Sequence, residues 1–148
     1  KELKVSEEKL YRALALSNLV AIHQKTGIGR LSAYCGAVCA GAAAGTGIAY
    51  LCGGGYAEVT HTVVNALAIT SGIVCDGAKA SCAAKIAAAV DAGILGYNMY
   101  IRGQQFRAGD GIVTNGADET IRNVGRLGKD GMKETNDEII SIMVHDRC

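Results

Sequence analysis

Proline and tryptophan are absent from the 148 residues, phenylalanine occurs once, and neither sign of charge dominates, with 15 Lys plus Arg against 14 Asp plus Glu. Each shortage excludes something. Without proline nothing forces a kink, so long uninterrupted helices are open to this chain. With six Tyr as the only other aromatic residues, ring bulk cannot fill a core, and packing must come from close contact between backbones. A formal charge of +1 leaves no basic excess to neutralise phosphates, which argues against nucleic-acid binding. An apolar share of 49% excludes disorder by composition. A chain of this length buries roughly two thirds of the surface its unfolded form exposes, so residues 1–148 read as one domain needing no covalent staple.

Motifs are missing too. The sequence has no Walker loop, no GxSxG, no HExxH and no CxxC, and no glycine run follows the strand that a dinucleotide fingerprint requires. Alternation of period two is nowhere sustained, and no unit recurs at a fixed period. The first nine residues are mostly charged and lack the apolar stretch of an export signal. Lys1 is not Met, so the chain reads as processed or as cut from something longer.

What is present is a long uncharged, glycine- and alanine-rich middle. No Lys, Arg, Asp or Glu falls between Leu31 and Ala57. Strongly lipophilic side chains are few there and glycines many, so insertion into a bilayer would gain little. Gly41 and Gly45 suit close backbone contact between buried helices instead. The six cysteines, at positions 35, 39, 52, 75, 82 and 148, sit mostly in segments that already make a core. That favours free thiols in a reducing, cytoplasmic setting over a disulfide framework.

Ser6 with Glu7 and Glu8 opens a helix over 6–25, which Gly27-Ile28-Gly29 stops. Buried helices are expected over 31–52, 57–74 and 78–101, the last rich in Ala. Asp118 caps a helix to about Leu127, and Thr135 or Asn136 opens one through Val144. The fold class expected is all-α, a bundle of about six helices with Gly/Ala-rich central ones and charged ones around them.

Chemistry concentrates in Cys35-Gly36-Ala37-Val38-Cys39 and in Cys75-Asp76-Gly77-Ala78-Lys79-Ala80-Ser81-Cys82. By spacing alone these thiols could be core filler. Cys75 stands in the turn before a helix, whose free N–H groups favour an anionic sulfur, and Lys79 lies one turn from Cys82. Several soft donors at such a place suit an iron–sulfur cluster better than a hard cation. His61 and Asn65, four residues apart, share a helix face, either as a satisfied core network or with Asn65 touching substrate. Lys79 can bind a substrate carboxylate or tune the thiols. Asp76 reads as the N-cap of the fourth helix or as support for the site, Lys85 as a snorkelling side chain, and Cys52 as structural.

The segments LSAYCGAVCAGAAAGTGIAYL, VNALAITSGIVCDGAKASCAAKIAAAVDAG and TIRNVGRLGKDGMKETNDEII resemble the C-terminal part of the L-cysteine desulfidase, or serine dehydratase-like, family. More distantly they are similar to the α-chain of iron–sulfur L-serine dehydratases, where a Cys-Asp-Pro turn stands in place of Cys75-Asp76-Gly77. The resemblance implies an oxygen-sensitive [4Fe–4S] cluster held by three cysteines, with one iron open to substrate. Carried over, the ligands are Cys75, Cys82 and Cys35, with Cys39 as the alternative to Cys35; Lys79, Asp76 and Asn65, from the reading of the residues above, are the candidates for the substrate side. The implied reaction is α,β-elimination from L-cysteine to pyruvate, ammonia and sulfide, or the corresponding deamination of L-serine. Otherwise the chain is a structural all-α domain with unmetallated cysteines. The catalytic base is expected outside this chain, which alone is expected to be inactive and to dock an N-terminal part, a partner chain or a second copy. Nothing in the spacing assigns a role to Cys148.

Overall fold

The computed structural model describes residues 3–145, so Lys1 and Cys148 lie outside the described part. Six α-helices follow one another: α1 Glu7–Ile28, α2 Gly36–Leu51, α3 Tyr56–Thr70, α4 Ser81–Ile101, α5 Ala117–Arg126 and α6 Lys133–His145, with a π-helical turn Leu127–Gly131 between the last two. The all-α class holds, and the described residues contain no strand beyond one isolated bridge.

Local chemistry starts the first helix as expected. The Ser6 hydroxyl accepts from the Lys9 N–H at 3.3 Å, with Glu7 and Glu8 in the first turn and Lys25 in the last. The helix runs past Gly27 and ends at Gly29, whose φ of +91° is a conformation glycine reaches without strain. Gly27 serves packing instead: a Cβ there would touch the Gly125 Cα at 3.4 Å, so α1 and α5 meet backbone to backbone.

The same device joins the centre. A Cβ at Gly41 would stand 2.3 Å from the Ala89 Cβ, and one at Gly45 would stand 2.5 Å from the Gly93 Cα. Farther along α4, a Cβ at Gly96 would meet the Asn65 Cβ and the Thr62 carbonyl of α3, each at 3.0 Å. Thus α2 packs against α1, α3 and α4, and α5 closes on α1 and α3. Ile28, Tyr34, Val38, Leu67 and Val124 fill the core between them.

Three further boundaries move, and all three movements bear on the thiols. Residues 31–35 leave the second helix and residues 71–74 leave the third, because these two short stretches pair with each other. The fourth helix begins at Ser81 rather than Ala78, so Asp76 does not cap it. Nor is α4 buried throughout. Ala89, Ala92, Gly93 and Gly96 are its buried residues, while Ala83, Ala84, Ile86, Ala87 and Ala88 are exposed. No described helix is long and apolar enough to cross a membrane.

Candidate functional site

Tyr34 and Val74 form an antiparallel bridge. The Cys35 N–H donates to the Ile73 carbonyl at 3.2 Å, and the Cys75 N–H donates to the Ala33 carbonyl at 2.6 Å. Residues flanking a bridged pair share the opposite face, and Cys35 and Cys75 are diagonal neighbours there, at a separation typical of about 7–8 Å between Cα atoms. Cys35 is thus brought to Cys75 by backbone pairing, not by one helix crossing another. Gly77, at a φ of +89°, turns the chain beyond them, with the Met143 Cε of α6 3.0 Å from where its Cβ would be.

Cys82 stands in the first turn of α4, at the corner where this turn meets the helix. Its sulfur accepts from the Lys79 N–H and donates toward the Gly77 carbonyl, both at 3.5 Å. Between the segments lies a charged knot. Asp76 bonds Lys79 and Lys85, and the Lys85 ammonium also donates to the Val74 carbonyl at 2.9 Å. These two lysines, Lys79 before Lys85, hold the Asp76 carboxyl down to about 2. Lys85 holds its own proton more tightly, chiefly through Asp76, and its ammonium lies within electrostatic reach of Cys35 and Cys82. It therefore reaches back over the turn and does not snorkel. Its signal was available: three residues after Cys82 on a helix, it shares that face.

The other candidates separate from this corner. Cys39 is as buried as Cys35, at 3% against 5% exposed, but lies one turn into α2, and its thiol is pushed up to about 11, first by burial and only partly offset by Lys25. Cys52 is exposed at the end of α2. Asn65 is fully buried, and both ends of its amide are engaged: Nδ2 donates to the Gly96 carbonyl at 2.9 Å and Oδ1 accepts the Phe106 N–H at 3.0 Å. It ties α3 to α4 and to the loop that follows. His61, on the same face, stacks on Tyr100 with ring centroids 4.4 Å apart; burial, then Arg107, makes it harder to protonate. It borders a cleft of about 450 Å³ that also touches Gln105, Arg107 and Asn115. That cleft holds none of the sequence-expected ligands.

A cluster of iron and sulfide asks for soft donors. Among the described residues no group of three or more His, Cys, Asp or Glu side chains stands as a ready-made ligand set. The donor chemistry nonetheless fits: Cys35, Cys75 and Cys82 are free thiols on segments tied by the bridge and the Lys85 contacts, with no carboxylate nearby left uncompensated.

The class so defined is an all-α domain in which a lysine-bound Cys-Asp-Gly turn is joined by a short backbone bridge to the segment before α2. The chain matches the serine dehydratase alpha chain family over residues 1–141, and it belongs to that family. It is 70% identical over 97% of its length to a UPF0597 protein of Desulfitobacterium hafniense, covering 34% of that relative. It is 55% identical over 98% of its length to one of Lachnoclostridium phytofermentans, and 52% identical over 99% to one of Treponema denticola, covering 35% and 34% of them. The chain thus spans about a third of the length of the curated relatives it matches. No solved structure matches it.

Proposed function

We propose that the chain is the cluster-holding part of an iron–sulfur-dependent lyase that eliminates the β-substituent of a small amino acid, with L-cysteine yielding pyruvate, ammonia and sulfide. Cys35, Cys75 and Cys82 would hold a [4Fe–4S] cluster. When bound, it supplies a Lewis-acidic iron for the substrate's carboxylate and leaving group. The observation that carries this reading is the Tyr34–Val74 bridge, which sets two cysteines remote in sequence on one face beside the Cys82 turn. Cys35 is favoured over Cys39 because the bridge engages its own backbone and sets it beside Cys75, while Cys39 lies a turn farther into α2.

The chain's own groups order the corner and supply charge. Two ammonium groups on one carboxylate leave one positive charge in excess, which attracts an anionic substrate. Lys79, half exposed, is the group that can swing from Asp76 to a substrate carboxylate. Lys85 then keeps Asp76 neutralised and the turn closed. Asn65 has no such part, since backbone groups occupy its amide. The proton-abstracting base belongs to the longer protein, so the chain alone is inactive. Free thiols of this kind suit the cytoplasm.

A second reading, elimination of the hydroxyl of L-serine, is favoured by the description of the family itself. The test is anaerobic reconstitution with iron and sulfide. A broad visible absorption and bound iron are expected in the wild type, Cys39→Ser and Cys52→Ser, and are lost in Cys35→Ser, Cys75→Ser and Cys82→Ser whose melting stays cooperative. A chain that takes up no cluster is a structural domain, and loss in Cys39→Ser with retention in Cys35→Ser reverses the ligand assignment.

A further inference from the structure

The outward side of α4 carries a second apolar seam, opposite the one that packs on α2 and α3. Ala84, Ala87, Ala88, Ile94, Leu95 and Ile101, with Asp91 and Asn98 among them, fall along one side at steps of three and four, the spacing by which one helix receives another. All six apolar residues are exposed, Leu95 by 51% and Ile101 by 53%. From Ala84 to Ile101 the seam is about 26 Å long. Asn98 and Asp91 are its polar members, and Asp91 makes no ion pair among the described residues. The seam begins beside Cys82 and Lys85, so whatever lies along it also borders the thiol corner.

We propose that this seam seats a helix from the two thirds of the longer protein that lie outside the matched region, a helix that is apolar along one side and carries Lys or Arg opposite Asp91. Two observations choose that occupant. The relatives have about twice this chain's length in residues beyond the match, 34% of the Desulfitobacterium hafniense protein being covered. The charge of Asp91 disfavours a second copy: laid parallel and in register, two seams bring Asp91 against Asp91, and laid antiparallel they bury each carboxylate against Ile94 with no cation. The alanines at the start of the seam admit a close backbone approach, as Gly41 and Gly45 do for α4 itself. The inference stands whether or not the corner holds a cluster.

The experiment mixes the 148-residue chain with the part of the Desulfitobacterium hafniense relative outside the matched residues, and reads co-purification and amide exchange without iron. A one-to-one complex is expected, with slowed exchange over 81–101. Leu95→Glu and Asp91→Lys, both at exposed positions and checked by helical circular dichroism, should bind at least about tenfold more weakly. Ile142→Glu, on the exposed side of α6, should bind as the wild type does. Absence of a complex, unchanged binding by both seam variants, or dimerisation of the chain alone through α4 would each overturn the proposal.

Discussion

Gly41→Ala sets two effects of similar size against each other, and the structure decides between them. Replacing glycine by alanine inside a helix is worth about 1 kcal/mol of intrinsic helix stability. At this position the added carbon would stand 2.3 Å from the Ala89 Cβ and 2.4 Å from the Ala89 carbonyl carbon, where ordinary carbon contacts lie at about 3.5–4.0 Å. Because one of the atoms struck is backbone, a side-chain shift cannot relieve it, and α4 must withdraw by about 1 Å or more. The withdrawal also opens the Gly45–Gly93 contact one turn on, and a gap of that size forfeits a quarter to a half of the local attraction. Overpacking of this kind costs about 1–3 kcal/mol before the loosened contact is added. The net expectation is a loss of about 2 kcal/mol after the helix gain is subtracted, which for a chain of this length lowers the melting temperature by about 4–8 °C. Gly36→Ala is the control: nothing lies within 4 Å of its Cβ position, so only the propensity gain acts and melting should rise. Ala89→Gly should rescue Gly41→Ala in part only, since the backbone clash remains. Gly41→Ala melting at or above the wild type would refute close α2–α4 packing.

Two further outcomes follow from named contacts. Asn65→Ala strips the partners from a buried carbonyl and a partly buried N–H, and should cost about 3 kcal/mol in urea unfolding; a loss under about 1 kcal/mol would mean the amide is not a tie. Asp76 has a folded value of about 2 against 3.8 in the unfolded chain. Its contribution is present above 3.8 and fades as pH falls from there toward 2. Asp76→Asn should therefore melt below the wild type at neutral pH and converge with it in acid, and parallel curves would show that the lysine pairs contribute nothing.

The helix count and the glycine contacts were legible because they rest on strong local signals: the cap at Ser6, the alanine runs and the paired small residues Gly41 and Gly45. The bridge was not. Residues 31–35 and 71–74 carry no period of their own and blend into apolar neighbours, so only their pairing across the fold releases them from α2 and α3. Gly27 misled for a related reason. A glycine that permits contact and a glycine that ends a helix look alike until a partner backbone is seen. Asp76 resembled an N-cap, yet the nearer lysines claim it, and the helix starts farther on, where the Cys82 sulfur takes the Lys79 N–H. Asn65 on a helix face could not be sorted between ligand and clamp, because its partners, Gly96 and Phe106, lie far along the chain.

The Tyr34–Val74 bridge also has a consequence for the order of folding. It closes a loop of about forty residues, for which the chain entropy is about 3 kcal/mol unfavourable before any contact compensates it. The compensation comes from α2 and α3, which lie within that loop and pack on each other. Cys35 and Cys75 therefore meet only after the helical hairpin between them has docked. A chain still unfolded offers sequence-local sulfurs, Cys35 with Cys39 and Cys75 with Cys82. The finished fold keeps Cys75 near Cys82 in the chain and brings Cys35 beside Cys75 through the bridge, a pairing the unfolded chain does not offer, so the geometry of the thiols is itself a record that folding has run to completion.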